Sequence, residues 1–333
     1  MVALPDAVLL PLAAALGAVA TQGTRAIATR LGVVSAPDAF VPQHTKYVAS
    51  LGGVGLAAAA ATTLALDRSH GTVGRATALG ALLFLGAGLV DDLWGLAPSR
   101  KLALQVVAAS IAAGFGATFP ATGHRPLDAI VGAVCIVAIV NAVNLTDVCD
   151  GLVAGLAVIA LLALGFTEPS LRAPCLAVAG ACLGFLLFNA PPASIFLGDT
   201  GSSFLGFVLA ALLLAAVRGG STGTRGIQVA FFVSVPLFEL LFVVVARTLR
   251  REPWWRGSAD HFSLRLQAAG LSRWQTDAIA WTAAAALALA GWSFTRLPTA
   301  GWVSLVVILL GALTAASALL LRVDPSPARS LTG

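Results

Sequence analysis

The sequence predicts an all-α, polytopic integral membrane protein with about eleven transmembrane helices. Three observations predict it. Of the 333 residues, 58% are hydrophobic and only 11% carry charge, less than half the ~25% charged residues of an ordinary soluble domain. Apolar stretches that approach the span of a ~30 Å hydrocarbon core recur along the whole chain. No stretch alternates apolar and polar residues with period two, the pattern of a transmembrane barrel.

The apolar runs lie near residues 5–22, 51–66, 73–90, 102–119, 127–143, 151–166, 174–189, 202–217, 227–246, 277–295 and 299–321. The first has no basic segment before it and reads as a retained helix, not a cleaved signal. The second contains "LGGVGLAAAAA", whose small residues let helices approach closely. Several runs are shorter than the ~20 residues a perpendicular span needs, so their ends extend into the polar segments between them. The run at 227–246 reads as one continuous span. The chain reads as a single transmembrane domain over residues 1–333, with "RVDPSPARSLTG" (322–333) as a disordered tail. Cys135, Cys149, Cys175 and Cys182 show no paired spacing and read as small hydrophobes.

The net charge of +5 fits cytoplasmic loops better than nucleic acid, which is not expected as a partner. With eleven spans the loops fall into two sets. Those after the odd-numbered spans hold 13 Lys and Arg against 7 in the others, which places the first set in the cytoplasm. Asp91, Asp92, Asp147, Asp150, Asp199 and Asp260 all lie in or beside that set, so the predicted site faces the cytoplasm of a multi-pass cell-membrane protein.

Four polar segments stand out there. In "VDDLWGLAPSRKLALQ", Asp91 and Asp92 end a span and Lys101 opens the next. Adjacent carboxylates at that depth repel unless a cation offsets them; a solvated helix cap is the plainer reading. In "NAVNLTDVCDGL" (141–152), Asn144, Asp147 and Asp150 recur every three residues, which a helix end shows on one side. Their oxygens are hard donors suited to Mg²⁺. In "FNAPPASIFLGDTGSSFLG" (188–206), Pro191 and Pro192 stop the helix, glycines bracket Asp199, and Phe196 offers a ring for a base. In "SADHFSLRL", Ser258 is expected to cap a short helix, with His261 and Arg265 on one face at i,i+4, where both could hold phosphate oxygens. A proton-coupled transporter is another reading of these acids, but it requires them near mid-span.

These segments, in this order, resemble the polyprenyl-phosphate N-acetylhexosamine-1-phosphate transferases over about residues 44–272. "DHFSLRL" looks more like the bacterial hexosamine-phosphate branch than the muramoyl-pentapeptide branch. The resemblance implies a reaction: undecaprenyl phosphate attacks the sugar-side phosphorus of a UDP-sugar, with UDP-N-acetylglucosamine the donor the branch suggests. It implies Mg²⁺, with Mn²⁺ as an alternative, held by Asn144 and Asp199. Asp91, Asp92 and Asp147 would be catalytic, with Asp91 the better base. Lys101, His261 and Arg265 would hold phosphate, Phe196, Asn189 and Asp150 would receive the nucleotide, and His44 would contact substrate. The implied partners are UDP-sugar, undecaprenyl phosphate and the lipid bilayer, with a homodimer left open.

The chain departs from the family pattern in several places. Val148 replaces the glycine after the acid at 147, Val41–Pro42 replace a basic pair before His44, and Tyr47 and Ala49 replace prolines. Ser263 and Leu264 stand where further histidines occur. Less cationic help implies a different sugar, weaker activity, or a lipid-carrier binding relative that has lost turnover.

Overall fold

The computed structural model describes residues 4–36, 46–67, 72–219, 222–253, 257–294 and 296–325. The chain runs α1 (Asp6–Leu31), strands β1 (Val34–Ser35) and β2 (Val48–Ala49), α2 (Gly52–Asp67), α3 (Thr72–Trp94), α4 (Pro98–Gly114) and α5 (Arg125–Thr146). It continues with α6 (Leu152–Thr167), α7 (Arg172–Asn189), α8 (Gly198–Val217), α9 (Thr222–Phe232), α10 (Ser234–Leu249), α11 (Phe262–Ala268), α12 (Arg273–Phe294) and α13 (Thr299–Leu321). The two strands form a short antiparallel ribbon, and the rest is helical. His44, Val41–Pro42 and residues 326–333 of the tail lie outside the described residues.

Among the described residues, seven helices are long and apolar enough to cross a membrane, or eight if the bent pair α9–α10 is counted as one span. α2 and α6 are apolar but only 16 residues long, and α4 has 17 residues with a basic first turn. The chain is therefore an all-α, multi-pass membrane protein.

The predicted continuous span at 227–246 needs correction. It is two helices meeting at 81°. Pro236 supplies the reason: it lacks an N–H, and its ring clashes with the carbonyl four residues back, at Phe232. Ser234 Oγ donates to the Phe231 carbonyl at 2.8 Å across the break.

α8 forms the centre. It is apolar on every side, and every residue from Thr200 to Leu214 is buried, as expected of a helix with no solvent or lipid face. Phe84 of α3 stacks on Phe207 of α8 with ring centroids 4.9 Å apart. Further along α3, a Cβ at Gly88 would collide with the Asp199 carbonyl, so α3 lies directly on the first turn of α8. α5 and α2 also pack on α8. Without a hydrophobic drive between helices in lipid, such close small-residue contact is what holds them together. α13 lies at the periphery, where Val307 and Ile308 are exposed, as the lipid-facing side of a spanning helix requires.

Candidate active site

Three of the four polar segments converge because α8 begins where α3 and α5 end. Leu197 precedes α8, and Gly198 adopts φ +75°, a conformation that L side chains rarely take. A Cβ there would also meet Asp92 Oδ2 at 2.7 Å. That close approach lets Asp92, on α3, cap α8 from another helix. Its Oδ1 accepts the Asp199 N–H at 2.8 Å, and its Oδ2 accepts the Thr200 N–H at 2.9 Å and the Thr200 hydroxyl at 2.5 Å. The carboxylate satisfies donors that a helix N-terminus otherwise leaves open and faces the positive end of the dipole.

Lys101, from the first turn of α4, reaches into the same place. Its Nζ lies 2.5 Å from Asp199 Oδ1, 2.9 Å from Asp91 Oδ2 and 3.1 Å from Asn144 Oδ1. The other oxygen of Asp91 accepts the Leu96 N–H at 2.7 Å, closing the turn between α3 and α4. Asn144 Nδ2 donates to Asp199 Oδ1 and, at 2.8 Å, to Ser202 Oγ. Asn144, Asp199 and Asp91 thus gather three hard oxygens around one cation.

Asp92, Lys101, Asn144, Asp147, Asp150, Asn189, Phe196 and Asp199 line one open cavity of about 440 Å³. Asp147 caps the end of α5, and burial pushes its carboxyl well above the usual carboxylate range, reinforced by Asp199, Asp92 and Asp150. The pocket lining carries four aspartates and one lysine, with Arg273 answering Asp150 from beside it. Asn189 ties two segments together, accepting the Gly151 N–H at 3.0 Å and donating to the Ile195 carbonyl at 2.9 Å. Asp150 Oδ2 accepts the Ala193 N–H at 3.1 Å and pairs with Arg273 at 3.0 Å. The backbone of Phe196 is fixed by β2 and α2, through Ala49 at 2.8 Å and Gly52 at 2.9 Å.

The fourth segment is built differently. His261 and Arg265 are buried and do not line this cavity. His261 Nδ1 meets Glu239 at 2.5 Å. Arg265 pairs with Asp260 at 2.7 Å and donates to the carbonyls of Leu320 and Val323 at the end of α13. The expected cap at Ser258 is also corrected. Ser258 Oγ accepts from Arg247 and donates to Asp260, while Glu239 Oε2 takes the Phe262 N–H at the start of α11.

Sequence reasoning passed over Glu239 and gave Arg273 and Ser202 no role in the site. Arg273 was counted only as a loop charge. Glu239 had a usable signal: an ionisable residue inside an apolar run is costly in a membrane and therefore serves a purpose. Ser202 carries no comparable mark.

Fold and pocket define a class, a multi-pass membrane enzyme that gathers hard oxygens and a lysine where helix ends converge. The chain belongs to glycosyltransferase family 4, the polyprenyl-phosphate N-acetylhexosamine-1-phosphate transferases. The profile of "Glycosyl transferase family 4" matches residues 75–217. The chain is 31% identical to "Probable undecaprenyl-phosphate N-acetylglucosaminyl 1-phosphate transferase" of Bacillus subtilis over 271 residues, 76% of this chain and 74% of that one. It is 32% identical to "Decaprenyl-phosphate N-acetylglucosaminephosphotransferase" of Mycobacterium tuberculosis over 272 residues, 69% and 67% of the two chains. Identity to "Phospho-N-acetylmuramoyl-pentapeptide-transferase" of Nostoc punctiforme reaches 55%, but over only 83 residues, 24% and 23% of the chains. Membership of the family implies metal-dependent transfer in general. Among the described residues, no group of three or more His, Cys, Asp or Glu side chains is arranged to hold a metal.

Proposed function

We propose that this chain transfers a sugar-1-phosphate from a UDP-sugar to undecaprenyl phosphate, releasing UMP and leaving a lipid-linked sugar diphosphate that starts a cell-envelope glycan. A phosphate oxygen of the acceptor bonds to the sugar-side phosphorus, and the bond from that phosphorus to the bridging oxygen breaks. The observation that carries this reading is the convergence of the three motif segments on one cavity. The match to N-acetylglucosaminyl 1-phosphate transferases over most of the chain favours UDP-N-acetylglucosamine as donor.

The residues fit a divalent cation. Lys101 already brings a positive charge to Asn144 Oδ1, Asp199 Oδ1 and Asp91 Oδ2, and these are the hard donors that Mg²⁺ prefers. Asn144 and Asp199 would hold the ion, which supplies charge neutralisation on the diphosphate. Lys101 holds phosphate charge beside it. Asp92 positions Asp199 through its backbone N–H. The acceptor phosphate is largely ionised at neutral pH, so Asp91 orients more than it deprotonates. Phe196 stacks on the uracil, with Asn189 and Asp150 behind it. The transfer is then positioning plus electrostatics, as phosphoryl chemistry requires.

An apolar cleft of about 700 Å³ lined by α9, α10, α12 and α13 offers a lining suited to the prenyl chain. Counting α2, α4 and α6 as short spans would give eleven crossings, and the excess of Lys and Arg in one set of loops supports a pocket on the cytoplasmic side of the inner membrane. The test is UMP release by purified protein in detergent, with undecaprenyl phosphate, Mg²⁺ and a panel of UDP-sugars. UMP from a UDP-N-acetylhexosamine, lost with EDTA and restored by Mg²⁺, is expected. Folded protein that releases no UMP from any sugar would overturn the reading.

A further inference from the structure

α4 carries Lys101 into the pocket, yet one side of it lies at the edge of the molecule, where Leu104, Val106 and Val107 are exposed. Its buried face is Gln105 followed by Ala108, Ala109, Ala112 and Ala113, and it packs on α3 and α5. Alanines let helices approach closely. They also offer little relief to stop one helix sliding on another, at ~1.5 Å for each residue of slip.

Gln105 supplies what the alanines lack. It is 2% exposed and lies one turn past Lys101, and its Oε1 accepts from Asn141 Nδ2 at 2.8 Å. Asn141 stands one turn before Asn144 on α5, and its Nδ2 also donates to the Val137 carbonyl at 2.8 Å. The two hydrogens of that amide therefore have two acceptors, one on its own helix and one across the interface, which fixes how it points. Burying amides between apolar helices carries a desolvation cost. The best-attested use of such a buried polar contact is to set helix register.

α4 and α5 are thus joined by two rungs one turn apart. Lys101 meets Asn144 at 3.1 Å in the pocket, and Gln105 meets Asn141 beneath it. The upper rung cannot set the register by itself. Its lysine stem is flexible, and Asn144 and Asp199 are the groups that cation and substrate claim in the reading above. Neither Gln105 nor Asn141 lines the cavity, so the lower rung does not compete with a ligand.

We propose that Gln105 and Asn141 are a positioning pair: their hydrogen bond fixes the register of α4 on α5 and so delivers Lys101 to the site of transfer. The catalytic consequence rests on the role given above to Lys101. Neither member of the pair touches the reacting atoms.

Two measurements test this. Encoded spin-label side chains at Leu102 and Val134, both exposed, report the register of α4 on α5 as an interspin distance. One narrow distribution is expected in otherwise wild-type protein. Gln105→Met, which removes the amide oxygen, should shift or broaden it. The reversed pair, Gln105→Asn with Asn141→Gln, should restore it. An unchanged distribution in Gln105→Met would overturn the proposal. This arm needs no turnover, so it decides the register even if the wild type releases no UMP, a result that would count against the transferase reading instead. In UMP-release kinetics, Gln105→Met should lower kcat at least about tenfold, the scale of an ångström-sized misplacement, and the reversed pair should recover it to within about threefold. In a Lys101→Ala background the same Gln105→Met change should cost less than about twofold, because the group it positions is gone. An equal loss in both backgrounds would contradict action through Lys101. Where Gln105→Met does not yield folded protein, Asn141→Ser breaks the same bond from α5 while its hydroxyl can still reach the Val137 carbonyl, and it serves in both arms.

Discussion

Two polar regions of this molecule use the same residue types to opposite ends. In the pocket, Asp91, Asp147, Asp199 and Lys101 stand around an open cavity or within reach of it, with acids in excess. In the cluster between α10, α11 and α13, Glu239, Asp260, His261 and Arg265 are 0 to 5% exposed, and their charges are spent on one another and on backbone groups. The lesson is that a charged motif residue offers its charge to a ligand only where the fold leaves it short of partners. Lys101 is 20% exposed and shared among three oxygens; Arg265 is fully buried and holds down the end of α13.

The sharpest way to break that comparison is to remove the pocket's cation. Lys101→Ala is expected to lower kcat/KM by about 10²–10³, the scale of a lost preorganised electrostatic group. The protein should still extract from the membrane as a folded species. Turnover within tenfold of wild type would mean that Lys101 is only pairing the acids. A smaller effect comes from a residue that belongs to both regions in kind. Asp92 lines the pocket, yet its oxygens serve the first turn of α8. Asp92→Asn keeps one acceptor oxygen, so the loss of a charged cap should cost about 1 kcal/mol of stability. Thermal unfolding in detergent checks the first effect. The kinetic effect should appear in kcat, through Asp199, and leave the KM for UDP-sugar nearly unchanged.

Much of this was legible in the sequence. Apolar runs and low charge give the multi-pass helical fold, and each predicted run apart from 227–246, which folds as two helices, became one helix because membrane burial leaves the backbone little alternative. Asn144, Asp147, Asp150 and Asp199 were found because polar residues clustered at apolar helix ends have a strong signal. The kink was also within reach: Pro236 was in the sequence, but the apolar run continues through it and hid the break at Val233. The fate of His261 and Arg265 was not legible. Whether a loop charge faces a cavity or a buried acid depends on Glu239, 22 residues earlier, and on the carbonyls of residues 320 and 323. No local pattern encodes those contacts.

The most direct test of the central contrast is one paired measurement: UMP release per folded molecule and melting temperature for Asp199→Ala and Arg265→Ala. Asp199→Ala should lose turnover almost entirely, with a melting temperature near wild type. Arg265→Ala leaves Asp260 buried with one fewer partner, which costs about 3 kcal/mol. It should melt lower by on the order of 5 °C while its folded fraction still releases UMP within about tenfold of wild type. The reverse pattern, with Arg265→Ala stable but inactive and Asp199→Ala active, would contradict the account.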